Sequence, residues 1–326
     1  MKTFFKTLII ITAVLVIVYL VGPKANKASY KTNLPNVPAI NLLSTHVTAQ
    51  ESKHQLKSGN EAEIVWADSA HRQTEYAVVY LHGFSASKEE GNPVHQNFAK
   101  SINANLYLAR LADHGIDTVA PMQYFTADRL WESGKEAFAI GKKIGKKVIL
   151  VGTSTGGTIA LKLAATYPEI HSLVLLSPNI AINDNKAWLL NNHWGLQIAR
   201  AVTGGNERIL DGKSPTYKKY WYDHYRLESV VQLQELLEST MDKSFFEKVK
   251  QPVLMLYYYK DEKEQDPVVK VLAMLEMFDE LGTPASKKQK LALPNTGNHV
   301  IGSSITSKDI SSVEKAMKDF AAKHIK

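Results

Sequence analysis

A serine between two glycines follows a short apolar run and precedes a stretch of helix-forming residues. Residues 152–156 read Gly-Thr-Ser-Thr-Gly, after the β-branched run 147–151 and before the helix-like run 158–165. Strand, sharp turn and helix in this order predict a nucleophile elbow, where strained backbone angles at Ser154 present its hydroxyl at a sheet edge. A helix N-terminus beside it favours a developing negative charge. The alternative is a glycine-serine loop with no catalytic role; we favour Ser154 as a nucleophile.

A serine nucleophile needs a general base, and the base needs an acid that orients it. In this arrangement the acid and then the histidine follow the serine along the chain. Residues 290–293 predict a short strand, residues 294–298 a turn-rich loop, and His299 comes next. The chain has 11 histidines, but this one stands where the order requires. We therefore predict His299 as the base; a loop histidine bonded to backbone is the alternative.

The acid is expected after the preceding strand, residues 252–259. Asp261 lies nearer the end of that strand, and Asp266 lies directly before Pro267. Because proline can open a helix at its first turn, Asp266 could also serve only as a helix cap. We favour Asp266 as the acid and keep Asp261 as the second candidate.

An acyl-transfer site also needs two N–H donors for an oxyanion. One is expected from the residue after the nucleophile, Thr155, and the other from the loop after an earlier strand. Residues 76–81 predict that strand, and His82-Gly83-Phe84-Ser85 follow it. Gly83 would let the loop approach the serine, with the Phe84 amide as donor. His82 is interpreted as a residue that tethers the loop.

These segments resemble the α/β-hydrolase superfamily, and in detail its monoacylglycerol lipase and lysophospholipase-like carboxylesterase branch. The matching pieces are residues 82–85, 152–156, 266–269 and 297–299, with a further likeness over 107–115, where Asp113 replaces a common glycine. The resemblance covers about residues 60–326. It implies an α/β-hydrolase fold, a mostly parallel twisted sheet with helices on both faces and an inserted helical cap. It also implies Ser154 as nucleophile, Asp266 as acid, His299 as base, and Phe84 and Thr155 as oxyanion-hole amides.

The N-terminal segment differs in composition from the rest of the 326 residues. A basic start is followed by an apolar run to residue 21 that only Thr12 interrupts. We interpret 1–22 as a signal peptide or a membrane anchor, with 4–21 as the membrane-associated part, so the protein is expected to be membrane-anchored or exported. The flanking lysines leave the orientation open. Residues 23–60 are expected to form a polar tether with a short helix near 39–45, and 61–326 the hydrolase domain.

About 70 residues separate the strand at 171–176 from the next sheet strand, which is too long for a simple crossover. We predict a cap over the serine at about 179–250, with helices near 186–203 and 227–237. The segment is rich in aromatic residues. Most of these are expected to pack the cap on the domain, and at least one to line a pocket for an acyl group.

The net charge is +7, and two lysine clusters, at 142–147 and 287–290, each lie just before a strand. That places them at the sheet edge opposite Ser154, where we interpret them as a solvated face; contact with an anionic membrane surface is the alternative. The sequence has no basic-aromatic module, so no nucleic-acid partner is expected. No histidine spacing typical of a metal site is present, and neither a metal nor a cofactor is expected.

The expected function is hydrolysis of carboxylic esters, acylglycerol-, lysolipid- or small-ester-like, through an acyl-enzyme on Ser154. The same triad could serve an amidase, a C–C hydrolase or an acyltransferase, because a fold does not fix one chemistry. A non-catalytic binding protein with the same fold is the further alternative.

Overall fold

The computed structural model describes residues 2–325, and its centre is a seven-stranded sheet. The strands lie in the order β1-β3-β2-β4-β5-β8-β9. β1 is antiparallel to β3, and the other neighbours are parallel. The bounds are β1 (Glu63–Val65), β2 (Thr74–Leu81), β3 (Asn105–Leu108), β4 (Gly145–Thr153), β5 (Ser172–Leu176), β8 (Val253–Tyr257) and β9 (Lys288–Ala292).

Helices cover both faces of this sheet. The α-helices of the described residues are α1 (Lys2–Leu20), α2 (Ile40–Glu51), α3 (Val94–Ser101), α4 (Ala127–Ile144), α5 (Thr155–Thr166), α6 (Gly195–Thr203), α7 (Pro215–Tyr220), α8 (Leu227–Thr240), α9 (Lys243–Phe246), α10 (Val271–Glu280) and α11 (Ile310–His324). The mostly parallel sheet with helices on both sides is therefore confirmed.

The alternation of side chains along β2 shows how the core is divided. Ala77, Val79 and Leu81 pack with α4, α5 and α10 on one face. Val78 and Tyr80 pack with α3 and α11 on the other. Successive strand residues point to opposite faces, and a parallel strand buried on both sides reads as a continuous apolar run. This burial fixes the register of β2 and β4 and therefore the positions of the loops at their carboxyl ends.

The segment between β5 and β8, for which we predict a cap and which we call the cap below, differs from the expected structure in two respects. The helix expected over 186–203 is divided into a 3₁₀ helix, Ala187–Asn191, and α6. Trp194 between them has a left-handed backbone, with φ of 64°. The cap also contains an antiparallel pair, β6 (Glu207–Ile209) and β7 (His224–Arg226), which the sequence did not suggest. The helix expected near 227–237 is α8.

Residues 23–60, expected to be a tether, lie against the domain and contribute to its core. Three backbone carbonyls of this segment accept hydrogen bonds from buried or half-buried side chains of α4 and its neighbours: Lys31 from Trp131, Thr32 from Tyr167 and Asn33 from Lys135. The Tyr30 ring lies 3.6 Å from the Lys162 ammonium on α5. We call residues 28–37 the strap. This packing cannot be predicted from the polar composition of the strap, because its hydrogen bonds are made by backbone carbonyls and not by side chains.

α2 continues the strap and is longer than the helix expected near 39–45. It buries Leu43 and Val47 against the core. α1, in contrast, has no buried residue; by length and composition it is the one described helix that could cross a membrane, with a hydropathy of 2.3.

Two adjacent leucines of α2 test whether this segment stabilises the domain. Leu43 is fully buried and Leu42 is 56% exposed. We expect Leu43→Ala to lower the free energy of unfolding by about 2–5 kcal/mol, because a buried side chain leaves a cavity. Leu42→Ala should change it by less than about 0.5 kcal/mol. Urea unfolding of the full chain in detergent, followed by circular dichroism, measures both; equal small effects would show that α2 adds nothing to stability.

Candidate active site

Ser154 occupies the turn between β4 and α5. Its backbone has φ of 53° and ψ of −119°, a strained conformation for a residue with a side chain. A Cβ atom at Gly152 would lie 2.5 Å from the Gly156 carbonyl oxygen, and one at Gly156 would collide with the Leu81 carbonyl. Both glycines of the motif are therefore required by backbone contacts, one within the turn and one with the end of β2.

The turn is also fixed to the adjacent strand. The Ser154 N–H donates to the Leu176 carbonyl at 3.0 Å, and the Asn179 N–H donates to the Ser154 carbonyl at 2.9 Å. These bonds hold the backbone of Ser154 at the carboxyl edge of the sheet, where β2, β4 and β5 end side by side.

Asp266 and His299, predicted from their order along the chain, are in direct contact. Asp266 Oδ2 lies 2.6 Å from His299 Nδ1, and the two residues are 1% and 7% exposed. The other carboxylate oxygen, Oδ1, accepts the Val268 and Val269 amides at 2.8 and 3.0 Å. One oxygen therefore orients the imidazole while the other caps the turn that follows.

The second candidate acid, Asp261, lies apart from the histidine. Its Oδ1 accepts the amides of Lys263 and Glu264, both at 2.8 Å, within an exposed turn. The helix that Pro267 could have opened begins instead at Val271. The arrangement favours Asp266 as the partner of His299.

The pKa of His299 is raised above its ordinary value. Burial alone would lower it, but the charge of Asp266, the hydrogen bond with Asp266 and the charge of Glu90 together outweigh burial. A raised pKa means that the imidazole accepts a proton more readily, which suits a general base.

The two backbone N–H groups predicted as oxyanion donors have no hydrogen-bond acceptor within the described residues. Among the hydrogen bonds of residues 2–325, neither the Phe84 N–H nor the Thr155 N–H has an acceptor. Thr155 is the first residue of α5, where backbone N–H groups have no partner within the helix. Gly83 brings the Phe84 loop close, because a Cβ atom at Gly83 would lie 2.9 Å from Ser154 Cβ. Two amides without acceptors beside a serine side chain are the donor arrangement that an oxyanion site requires.

His82 holds the Phe84 loop in place. Its Nε2 accepts the Leu111 amide at 3.0 Å and its Nδ1 bonds the Gly83 carbonyl at 2.9 Å. Burial, the largest cause, lowers its pKa well below the ordinary value. The neutral ring with both nitrogens engaged matches a tethering role.

A buried carboxyl group that the sequence reading missed lies in the same loop region. Glu90 is 2% exposed and accepts the Gly83 amide. The sequence offers no signal that separates it from its neighbour Glu89, which bonds the Asn92 side chain at the surface of the loop. Only the folded chain shows which of the two glutamates points inward.

The cap covers the site through three aromatic residues. The Tyr222 N–H donates to the Ser85 carbonyl at 2.8 Å, and the Tyr225 ring lies 5.1 Å from the ring of Phe84. Trp221 packs with Val300, the neighbour of the histidine. The cap therefore contacts both the loop that contains Phe84 and the loop that contains His299.

A cavity of about 810 Å³ lies elsewhere, beside α2 and α4, and none of the proposed catalytic residues lines it. Its walls carry ion pairs such as Arg110–Glu51 and Arg129–Asp113. Within residues 2–325, no cluster of three or more histidine, aspartate or glutamate side chains is arranged to hold a metal ion.

Comparisons with known proteins agree with this architecture. The family model described as serine aminopeptidase, S33, matches residues 136–292. A thermostable monoacylglycerol lipase of a Bacillus species is 28% identical over 173 residues, 51% of this chain and 63% of the relative. Human serine hydrolase BPHL is 28% identical over 149 residues, 43% of this chain and 48% of the relative. The chain thus matches about half to two thirds of the length of these relatives.

Solved structures show the same fold. A metagenome-derived lipolytic enzyme described with LipS and LipT superposes with a TM-score of 0.66 at 19% identity, covering 83% of this chain and all of that one. The monoacylglycerol lipase of Paleococcus ferrophilus gives 0.56 at 14% identity, covering 79% and 98%.

The chain has the α/β-hydrolase fold of these solved structures, and part of it matches the family model. Within the superfamily it resembles the serine hydrolases of the monoacylglycerol lipase-like branch.

Proposed function

We propose that the protein is a serine hydrolase that cleaves carboxylic esters. The observation that carries the proposal is the bond of Asp266 to the buried His299, together with the strained backbone of Ser154 at the carboxyl edge of the sheet. Two free amides, at Phe84 and Thr155, complete the groups that acyl transfer requires. The names of the lipases and esterases that this chain resembles support esters as the substrate class.

In the proposed reaction, Ser154 Oγ attacks the ester carbonyl while His299 Nε2 takes the hydroxyl proton. The negative charge on the carbonyl oxygen is stabilised by the amides of Phe84 and Thr155. His299 then gives the proton to the leaving alcohol, and a water molecule, deprotonated by the same imidazole, releases the acid. Within residues 2–325 the hydroxyl has no hydrogen bond to His299; such bonds often tighten only in the substrate complex.

The aromatic cap favours an acyl group with an alkyl or aryl body. Phe84 meets the rings of Phe125 and Tyr225 at 5.4 and 5.1 Å, so an apolar wall adjoins the oxyanion donor. Acylglycerols, lysolipids and small esters share this requirement. Amides, C–C substrates and acyl acceptors other than water could use the same groups, and ester turnover distinguishes these chemistries from the one proposed.

Active-site labelling tests the nucleophile. A fluorophosphonate probe should label the wild type and leave Ser154→Ala unlabelled, because only an activated serine reacts. Ser58→Ala, an exposed serine, should label like the wild type. A series of p-nitrophenyl and glyceryl esters should then show turnover that depends on acyl length. A folded wild type that takes no label would favour a binding protein, and equal rates for all chain lengths would contradict the apolar acyl site.

A pair of aspartate variants tests the acid. Asp266→Asn should lower kcat by about 10⁴-fold, because the amide no longer holds the imidazole in its reactive tautomer. Asp261→Asn should leave kcat within about threefold of wild type, since Asp261 is exposed and bonds only its own turn. Steady-state kinetics on one ester decides the question; a larger loss in the Asp261 variant would assign the acid to that residue.

We also propose that α1 anchors the protein to a membrane and that the cap lies next to the anchor. The Trp194 indole donates to the Val18 carbonyl at 3.0 Å, and His193 meets Tyr19 with ring centroids 5.3 Å apart. The lysine clusters are less suited to this role. Lys142 pairs with Glu169, Lys146 and Lys147 share Glu75, and Lys290 pairs with Asp279, at 2.7–3.3 Å, so three carboxylates offset part of the charge of the clusters.

Fractionation tests the anchor. The full chain should remain with membranes after washing in 1 M salt, which weakens surface charge contacts but not a spanning helix. A chain lacking residues 1–21 should be recovered in the soluble fraction. Release of the full chain by salt would show that exposed charge, and not α1, provides the attachment.

A further inference from the structure

We propose that Glu90 is a positioning residue for the oxyanion loop and a second acidic partner of His299, and that its ionisation shapes the pH dependence of the site. The proposal rests on the serine hydrolase function above and extends it to a residue outside the triad.

The position of Glu90 connects it to both halves of the site. Its carboxylate accepts the amide of Gly83, the residue before the oxyanion donor Phe84. A Cβ atom built on Gly83 would lie 2.8 Å from Glu90 Oε1 and 2.9 Å from Ser154 Cβ. The carboxylate and the nucleophile therefore border the same small volume, and the bond to Gly83 fixes the peptide that precedes the donor amide.

Glu90 also differs from the charged residues at the surface. It is 2% exposed, and within the described chain no lysine or arginine forms an ion pair with it. A buried charge without a cationic partner is costly and tends to be neutralised. Burial raises the pKa of Glu90 to about 7, although the Gly83 amide, His299, Trp221 and Tyr80 act in the opposite direction. The carboxyl group can thus change its charge in the range where the enzyme would work.

The polar neighbours of Glu90 come from four parts of the fold. Tyr80 on β2 and Trp221 of the cap favour its ionised form and lower its pKa, and His299 interacts with it through charge. Tyr217 on α7 and Glu89 in the same loop are the other titratable groups nearby. Burial raises the pKa values of Tyr80 and Tyr217 above the ordinary range, so both stay neutral. His299 is therefore the group that responds to Glu90.

The direction of the effect follows from charge. Ionised Glu90 stabilises the protonated imidazole and raises the pKa of His299. Because the neutral imidazole is the reactive base, this charge moves the acid limb of activity to higher pH. Loss of the charge should move that limb to lower pH. Because the two groups interact through charge, the wild-type curve belongs to the pair and not to one group.

Glu90→Gln and Glu90→Ala separate the two roles. Glutamine keeps an oxygen that can accept the Gly83 amide and removes the charge. We expect the acid limb of kcat/KM to shift to lower pH by on the order of one unit and to sharpen, with kcat at the optimum within about threefold of wild type. Alanine leaves the Gly83 amide without its acceptor and should lower kcat by at least about tenfold with a smaller change in KM. Glu89→Gln should reproduce the wild-type profile.

Direct titration of His299 by NMR keeps this test independent of substrate. The imidazole signal of the full chain in detergent, assigned with His299→Gln, should titrate at lower pH in Glu90→Gln than in wild type. If Glu90→Gln does not fold, Trp221→Phe, which removes an indole N–H that favours ionised Glu90 and lowers its pKa, should shift the signal in the same direction.

An unchanged His299 titration in the folded variants would overturn the proposal, whatever their activity. A shifted titration in a protein that cleaves no ester would instead retain the coupling and contradict the proposed function. Loss of thermal stability in Glu90→Gln with unchanged pH profiles would show a structural residue only.

Discussion

The contact between the β4–α5 turn and the end of β2 is the constraint on which the site depends. At Gly156 the helix backbone approaches the Leu81 and His82 carbonyls so closely that no side chain fits. The parallel pairing of β2 with β4, Leu81 opposite Gly152, brings the two strand ends to the same level. One strand then ends at Ser154, the proposed nucleophile, and the other at the loop of Phe84, the proposed second oxyanion donor. Buried apolar side chains on both faces of the sheet hold this register.

Charge is concentrated at the same place, in an environment with little water. Asp266, His299 and Glu90 are all nearly inaccessible, so their mutual interactions are stronger than those of the surface ion pairs. Backbone amides satisfy the two carboxylates: Val268 and Val269 for Asp266, Gly83 for Glu90. The acids are thus held by the main chain, and in the proposed reaction the imidazole alone transfers the proton from the serine to the leaving alcohol.

The sequence predicted the candidate site residues best where a short motif or the order of residues along the chain identifies them. The glycines around Ser154 and the order of the acid and His299 predicted these residues, because each depends on local turn geometry or on strand order. Sequence order left Asp261 and Asp266 as alternatives, since both lie in one loop and only the folded turn directs one towards the histidine. Glu90 was missed because its burial depends on contacts with Gly83 and the cap.

The strap was missed for a related reason. A polar segment with several prolines resembles a linker, yet the strap binds the domain through its carbonyls and through Tyr30 on the buried Lys162 ammonium. The same holds for β6 and β7, strands of three residues each, which are too short for periodicity to reveal. Hydrogen bonds between main-chain atoms do not depend on residue type, so the amino-acid composition does not predict them.

The attachment of the strap limits where a tethered enzyme can work. If α1 lies in a bilayer, only the residues between Leu20 and the Lys31 carbonyl held by Trp131 separate the lipid from a fixed point on the domain. Even fully extended, a chain of that length reaches about 35–40 Å, comparable to the width of the domain itself. Under the proposed function and anchoring, Ser154 would therefore stay within a thin layer of solvent along the bilayer, where the concentration of any amphiphilic ester is far above its bulk value.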